Sequence, residues 1–257
     1  MFKELYNYRE LLKTNIRKEI RGKYKGSLLG VLWSFINPLL QVLVYAIVFP
    51  YLMGNTGDHY LQYLITGIIP WTFFTTVIAQ GVTTVRSNAG IIKKVYFPRE
   101  ILPLSVVISG LINFFISCII IVVFCIGSVG VSWHLVFLPI IALIQTILSL
   151  GLVFALSAIN VYIKDVEYMV VFILNMLMYG TPIIYELSRF EGSTSILFTF
   201  INLNPFTHIV GAYRDIFMYH QIPNFSVLSL VTLVSIIVLL VGYLIFKQLQ
   251  KGFAEEL

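Results

Sequence analysis

The side chains in this sequence that could act chemically are amides, hydroxyls and aromatic rings, placed three or four residues apart within long apolar stretches. Asn37, Gln41 and Tyr45 have this spacing and follow Ser34, so a helix would carry all four on one face. Polar groups in lipid cost free energy unless they find a partner or water. The face is therefore expected either to hold helices together or to line a polar conduit, and the sequence leaves both open.

Two other apolar stretches carry polar faces of the same kind. One consists of Thr72, Thr76, Gln80 and Thr83, and the other of Ser105, Ser109, Asn113 and Ser117. For the second set, hydrogen bonding between helices is the preferred interpretation. A later stretch presents Asn175, Tyr179 and Pro182 at spacings of four and three, which makes it a possible counterpart of the first face.

The sequence lacks the groups on which catalysis or ion coupling would depend. The four histidines are scattered along the chain and form no metal-ligand cluster. No Asp, Glu, Lys or Arg lies at the middle of an apolar stretch, which disfavours a proton- or sodium-coupled transporter. No phosphate-binding loop is present that would hydrolyse ATP. We therefore predict no catalytic residue, no metal site and no cofactor on this chain, so that any transport would draw its energy from a partner.

The composition shows which elements must position these groups. Of 257 residues, 58% are hydrophobic and only 11% are charged, whereas a soluble domain has about 25% charged residues. A cytosolic enzyme is thereby excluded. A membrane-spanning helix needs roughly 20 apolar residues, and the uncharged stretches supply six of them. The predicted fold is an all-α membrane protein with spans at about 33–53, 61–83, 102–126, 135–160, 168–185 and 225–246.

The basic residues orient these spans. All but Arg189 and Arg214 of the 17 lysines and arginines fall before the first span or after the second, fourth and sixth. Cytoplasmic segments carry the excess of Lys and Arg, so both termini are predicted to be cytoplasmic. We divide the chain into an interface helix at residues 1–32 and a single transmembrane domain at residues 33–257.

The N-terminal segment predicts an amphipathic helix. Apolar residues recur every three or four positions from Leu5 to Tyr24, and the opposite face carries Arg17, Arg21 and Lys25 among other basic residues. Such a helix lies in the membrane interface, with its basic residues near anionic headgroups. It is either an anchor that fixes topology or a platform that also touches a phosphate-bearing lipid or a cytoplasmic partner.

Four segments together resemble one family of membrane proteins. The first runs from Arg17 to Trp33 and continues through Asn37-Pro38-Leu39 to Phe49. The others are Gly67-Ile-Ile-Pro-Trp-x-Phe-Phe74, Lys93-Lys-Val-Tyr-Phe-Pro-Arg-Glu100, and Asn204-Pro-Phe206 through Tyr213-Arg214. In this order they resemble the permease subunits of type-2 ABC exporters, and most closely those that export lipid-linked polysaccharides such as O-antigen, wall teichoic acid and capsule.

The resemblance implies partners and a coupling site. It implies a homodimer of this chain with two copies of a separate ABC ATPase, which would carry the ATP and Mg. The loop between the second and third spans would hold a short helix that enters a cleft of the ATPase. The residues assigned to this coupling site are Asn88, Ile91, Ile92, Lys93, Lys94 and Tyr96. The alternative is an ordinary basic cytoplasmic loop. The segment 186–224 resembles the family's short helices that re-enter the outer leaflet.

A polymer of sugars cannot be enclosed as one small solute, so an exporter of this kind needs a continuous channel with weakly binding walls. Neutral amides, hydroxyls and aromatic faces suit that purpose better than fixed charges do. The residues assigned to the channel are Asn37, Gln41, Tyr45, Phe49, Phe73, Phe74, Asn175, Tyr179 and Tyr185. We expect the first-span face to oppose the fifth span of the other subunit. For at least half of the aromatic residues, the competing explanation is an interfacial belt.

Two other function classes remain open at this point. A type-2 ABC permease for a small lipid or a drug would have the same topology, and a membrane assembly subunit that transports nothing would have the same hydropathy. A neighbouring reading frame that encodes an ATPase would exclude the second. An integral membrane enzyme is the least favoured class, because no nucleophile and base converge in any span.

Overall fold

The computed structural model describes residues 6–22, 32–53, 59–186 and 196–257, and every regular element within them is helical. The helices that lie in the six predicted apolar stretches are α2 (Trp33–Met53), α3 (Tyr60–Ser87), α5 (Ile101–Ile126), α6 (Leu138–Tyr162), α7 (Val166–Tyr179) and α10 (Phe225–Leu249). The other helices are α1 (Arg9–Gly22), α4 (Ala89–Ile92), α8 (Ile196–Leu203), α9 (Pro205–Arg214) and α11 (Phe253–Glu256).

Each of the six predicted stretches is helical, and most of the bounds agree within a few residues. Among the described residues, four helices are long and apolar enough to cross a membrane: α3, α5, α6 with the turn that precedes it, and α10 with the turns that follow it. The stretches Ile36–Tyr51 and Val166–Tyr179 are shorter apolar helices. The prediction for the fifth stretch was too long: α7 ends at Tyr179, not at residue 185. Gly180 and Pro182 explain this end, because both residue types disfavour a continuing helix.

Helix α3 is the centre of the fold. It packs against α2, α5, α6, α7 and α9, and most of its residues between Gln62 and Val85 are buried. Helix α10 lies at the periphery, where it packs mainly on α6. Its outward side chains, among them Leu230, Leu233 and Ile237, are exposed, as a lipid-facing surface would be.

The predicted amphipathic helix is present as α1. Tyr8, Leu12 and Ile16 are half-buried, whereas Arg17 and Arg21 are exposed. Helix α1 packs against α5, and Tyr8 also contacts the smaller of two apolar clusters. Lys25 lies outside the described residues. The helix is therefore attached to the bundle at the end where the loop between α3 and α5 lies.

Short helices also occur in the segment before α10. Asn204 caps α9, because its side-chain oxygen accepts from the Phe206 N–H at 3.0 Å. The segment continues through a π-helical turn, Asp215–Tyr219, to Asn224, which caps α10 in the same way. These caps explain why the chain turns twice here and does not form one long helix.

Candidate functional site

Polar faces from three helices meet in one cavity. A cavity of about 320 Å³ lies between α2, α3 and α5. Its polar lining is Asn37, Thr72, Thr76, Asn113 and Ser117. Each face was predicted separately from its own spacing, and the fold brings them together. The cavity can donate and accept hydrogen bonds without carrying a charge.

The third face, which runs from Ser105 to Ser117, was predicted to form hydrogen bonds between helices, and Ser105 and Ser109 do not form them. The hydroxyls of Ser105 and Ser109 donate to Leu102 and Val106 carbonyls of their own helix, at 2.8 and 2.9 Å, and so do not bridge helices. Asn113 and Ser117 line the cavity instead. The interpretation as hydrogen bonding between helices was therefore wrong for the two serines, because a serine in a helix can satisfy itself on the preceding turn.

The predicted aromatic residues of α3 have two different environments. Phe73 lines the cavity and stacks on Phe114, with ring centroids 5.1 Å apart. Phe74 points elsewhere: it is buried, with its ring centroid 4.7 Å from that of Phe206. In this chain Phe74 therefore fastens α9 to α3, while Phe73 contributes an aromatic wall to the cavity.

The C-terminal half of the α2 face leads toward α7. Gln41 Nε2 donates to the Tyr45 hydroxyl at 3.4 Å, and that hydroxyl lies 3.8 Å from the Met178 sulfur. Phe49 meets the Tyr45 ring edge-on. Asn175 and Tyr179, which lie one turn apart on α7, are exposed on the surface of the single chain.

Tyr185 lies beyond the end of α7 and is held by backbone contacts. Its hydroxyl donates to the Tyr179 carbonyl at 2.8 Å. Its own carbonyl accepts from the Tyr63 hydroxyl at 2.7 Å. Tyr185 therefore joins α7 to the start of α3.

The predicted coupling residues divide into exposed and buried groups. The helix α4 covers Ala89–Ile92 and is followed by a turn at Lys93 and Lys94, so it is shorter than the predicted stretch from Asn88 to Tyr96. Ile91 is 45% exposed and Tyr96 is 89% exposed. Lys93 and Lys94 are exposed as well.

Asn88 and Ile92 instead fix the loop to the protein. Asn88 Nδ2 donates to the Thr84 carbonyl at 2.8 Å, and its Oδ1 accepts from Lys18 of α1 at 3.1 Å. Ile92 is buried in the smaller apolar cluster, next to Phe97. Lys18 was not among the residues assigned from the sequence. Its role depends on a contact between residues 70 positions apart, which helical spacing cannot reveal.

The C-terminal segment supports the same loop. Phe253 is fully buried in the cluster that contains Ile92 and Phe97. The Arg99 guanidinium lies over the Phe253 ring, 5.7 Å from its centroid, and donates to the Gln250 carbonyl. Lys247 of α10 forms an ion pair with Glu100 at 3.3 Å. The N-terminal helix, the coupling loop and the C-terminus therefore form one packed unit.

A buried arginine holds the opposite end of the fold. The Arg214 guanidinium lies 3.4 Å from the centroid of the Tyr63 ring and donates to the carbonyls of Pro182 and Ile183, at 2.7 and 3.1 Å. A Cβ on Gly67 would lie only 2.9 Å from Arg214 Nη2. Sequence reasoning assigned Arg214 only to the outer side, whereas the structure makes it the link between α9, α3 and the segment after α7.

Within the described ranges, no three His, Cys, Asp or Glu side chains lie together as metal ligands would. The two cysteines, Cys118 and Cys125, are free and buried. Burial raises the pKa of the Asp215 carboxyl and of the Tyr219 hydroxyl.

Comparison with known proteins agrees with this description. The ABC-2 type transporter family matches residues 10–218. The O-antigen export system permease protein RfbA of Myxococcus xanthus is 33% identical over 260 residues, covering 100% of this chain and 99% of the relative. The protein of the same name from Klebsiella pneumoniae is 33% identical over 253 residues, covering 96% and 95%. The polysialic acid transport protein KpsM of Escherichia coli is 19% identical over 243 residues, covering 91% and 92%.

The family match extends over most of the chain, and the relatives named as permeases align with it from end to end. The apolar helices agree with that assignment. This chain belongs to the ABC-2 type transporter family and is a multi-pass protein of the inner membrane.

Proposed function

We propose that this chain is the channel-forming subunit of an ATP-driven exporter that moves a lipid-linked polysaccharide of the O-antigen, teichoic acid or capsule type across the cytoplasmic membrane. The observation that carries this proposal is the full-length likeness to permeases named for O-antigen export, at 33% identity. The more distant relative is named for transport of polysialic acid, which is also a carbohydrate polymer. The neutral cavity suits the same class of substrate.

The proposed topology has six spans and two cytoplasmic termini, with residues 1–32 as an interface segment and 33–257 as one transmembrane domain. Helix α2 has 21 residues, or about 31 Å at 1.5 Å per residue, which matches a hydrocarbon core of about 30 Å. Helix α7 has 14 residues and is shorter than that core. The buried segment from Thr181 to Ile184 would complete this span inside the protein, where irregular backbone is tolerated.

The proposed assembly is a homodimer of this chain with two copies of a separate ABC ATPase, which binds ATP and Mg. The exposed residues of the coupling loop support this arrangement. Ile91, Val95 and Tyr96 present apolar surface next to the exposed Lys93 and Lys94. An aromatic and apolar patch with basic neighbours is suited to insertion into a protein cleft. Asn88 and Ile92 would fix the base of the loop, so that a movement of the loop is transmitted to the helix bundle.

The proposed path for the polymer begins at the cavity that contains Asn37 and Phe73 and continues along Gln41, Tyr45 and Phe49. Asn175, Tyr179 and Tyr185 of the partner subunit would form the opposite wall. This arrangement accounts for the exposure of Asn175 and Tyr179 in the single chain. Neutral hydrogen-bonding groups hold each sugar weakly, so that a chain can slide without a fixed register.

Deletion of the gene in its native bacterium tests the proposal. We expect polymer to be lost from the cell surface and lipid-linked polymer to accumulate on the cytoplasmic side, as measured on gels and by immunoblot after fractionation. A plasmid copy should restore export. Co-purification of an ATPase with the tagged permease tests the assembly.

Two results would support another function. Normal surface polymer combined with altered drug sensitivity or an altered small-lipid content would indicate a permease for a small substrate. Normal export of every such substrate, with loss of another envelope complex, would indicate an assembly subunit.

A further inference from the structure

A second cavity lies at the end of the fold opposite the coupling loop. It has a volume of about 340 Å³ and is lined by Thr207, Gly211 and Arg214 of α9, with Glu186, Asp215 and Tyr219 among its walls. Tyr63, one of its walls, lies near the start of α3, about 36 Å of helix from Ser87, where α3 meets the coupling loop. The described residues that line it include none of those assigned to the channel or to coupling. The volume is at the lower end of the range for small-molecule sites, about 300–1,000 Å³.

Two side chains in this cavity are buried without satisfying their hydrogen-bonding capacity. Thr207 and Arg214 are 5% and 4% exposed, and in the described part of the chain Thr207 Oγ1 and Arg214 Nε have no partner. Buried polar atoms nearly always have one. The Arg214 guanidinium cannot turn to find one, because its other nitrogens are bound to the Pro182 and Ile183 carbonyls. Two residues that line this cavity thus each have one unpaired polar atom, an N–H on Arg214 and a hydroxyl on Thr207.

Gly211 lies between these two residues on α9 and lines the same cavity. Thr207, Gly211 and Arg214 follow one another at spacings of four and three, so they lie on one face of α9. A Cβ at Gly211 would meet nothing within 4 Å. Glycine inside a helix is destabilising relative to alanine, and here no neighbouring atom requires it. A molecule bound in the cavity would explain this glycine, because the molecule would occupy the space that a larger side chain would fill.

The charges around the cavity indicate what kind of molecule fits. Glu186 and Asp215 contribute carboxyl groups, and Arg214 contributes a guanidinium. The His208 ring also lines the cavity, with its Nε2 2.8 Å from the Asn202 carbonyl oxygen. Two carboxyl groups beside a single guanidinium disfavour an anion such as phosphate. They favour an uncharged ligand with several hydroxyls, which can donate to carboxylate oxygens and accept from Arg214 Nε. Tyr219, which is exposed at the rim, adds an aromatic ring.

We propose that this cavity binds one uncharged sugar residue of the exported chain at the outer face of the membrane. The inference rests on the proposed function, which supplies a sugar polymer and places this end of the fold outside. The site differs from the proposed channel in having charged walls and a guanidinium that is held in place by backbone carbonyls. It would hold a sugar in a defined orientation as the polymer leaves.

Ligand-observed NMR on the purified permease in nanodiscs tests this directly, without ATP or the ATPase. The probes are methyl glycosides of mannose, galactose, glucose and rhamnose, with inorganic phosphate and glycerol phosphate as charged alternatives. We expect millimolar binding of at least one glycoside. Thr207→Val, which removes only the hydroxyl, and Gly211→Leu, which fills the space, should each weaken that binding at least tenfold. Thr146→Val is the matched control, because the Thr146 hydroxyl binds the Ala142 carbonyl of its own helix.

Substitution of Arg214 is not used, because its guanidinium holds the backbone together. Thermal unfolding checks that the variants fold: Thr207→Val should unfold at the wild-type temperature or above it, since it removes an unpaired buried hydroxyl. Glycoside binding that is absent, or that persists in both variants, overturns the proposal. So does phosphate binding that Thr207→Val abolishes, which would indicate an anion site.

The NMR binding experiment and the gene deletion together separate this inference from the proposed function. If the deletion strain loses polymer export but the permease binds no glycoside, only the sugar site is wrong. If the permease binds a glycoside at this site while the deletion strain exports polymer normally, the site stands and the export function fails.

Discussion

Gly151 of α6 and Gly242 of α10 bring the backbones of two helices into direct contact. A Cβ built on Gly242 would overlap the Gly151 carbonyl, and one built on Gly151 would lie 2.6 Å from the Leu239 nitrogen. In lipid, helices associate through close packing, because there is little hydrophobic gain between them. This glycine pair therefore fixes the last long helix, most of whose other faces are exposed.

Gly242→Ala is accordingly expected to destabilise the protein by about 2 kcal/mol or more, because the added methyl meets backbone atoms that cannot move aside. Thermal unfolding in detergent, followed by size-exclusion fluorescence, measures the effect. Gly90→Ala serves as the control, since its Cβ would lie in open space. Equal unfolding temperatures for the two variants would show that α6 and α10 separate easily.

The coupling loop allows a sharper test, because Ile91 and Ile92 are adjacent but differ in environment. Ile91 is exposed and Ile92 is buried beside Phe97. Ile91→Asp should leave the unfolding temperature unchanged while it lowers export and ATPase stimulation at least tenfold. Ile92→Asp should instead lower stability by several kcal/mol, since it buries an unpaired carboxylate.

The readouts are the ATPase rate of the reconstituted complex and the thermal unfolding of the permease alone. Wild-type ATPase stimulation and export in Ile91→Asp would show that the loop does not touch the ATPase. Tyr96→Ala gives an independent measurement on the same surface, because the Tyr96 side chain is almost fully exposed.

The sequence alone located the helices well, but it did not show which residues of different helices and loops contact each other. The length of the uncharged stretches and the basic residues that flank them located each long helix, because a bilayer requires an apolar span of that length and favours Lys and Arg in the segments beside it. The end of α7 was missed because Gly180 and Pro182 were read as part of a span. Lys18 with Asn88 and Gly67 with Arg214 could not be foreseen, since each pair joins distant positions through a contact with no periodic signal. The polar faces were recognised, but only the fold showed that three of them share one cavity.

The interface helix has two kinds of basic residue, and they should respond differently to substitution. Arg17 and Arg21 are exposed, whereas Lys18 binds Asn88 of the coupling loop. Arg17→Gln with Arg21→Gln should weaken assembly with the ATPase and engagement of the lipid-linked substrate, and the defect should grow with salt because screening weakens the remaining charges. Lys18→Met should leave membrane association intact and reduce coupling.

Co-purification of the ATPase at 50 and 500 mM salt, with an export assay on the same strains, distinguishes the two effects. Lys13→Gln is the matched control, because Lys13 is an exposed lysine paired within its own helix with Glu10. Unchanged complex yield and export in the Arg17 and Arg21 double variant would leave the helix with an anchoring role only.

The last prediction concerns the proposed path of the polymer. In a protein whose Cys118 and Cys125 are replaced by serine and alanine, single cysteines at Gln41, Tyr45 and Tyr179 should react with a water-soluble thiol reagent when ATP and substrate are present. The physical reason is that an amide and two hydroxyls placed in hydrocarbon must reach water or a partner, and Tyr179 is 66% exposed in the single chain. A polymer trapped in mid-export should protect all three positions. A cysteine at Leu230, on the exposed side of α10, should stay unlabelled, since that side faces lipid. Labelling of a cysteine at Asn113 or Ser117, with none at the other three positions in any state, would place the path in the cavity between α2, α3 and α5 and exclude a wall built from α7.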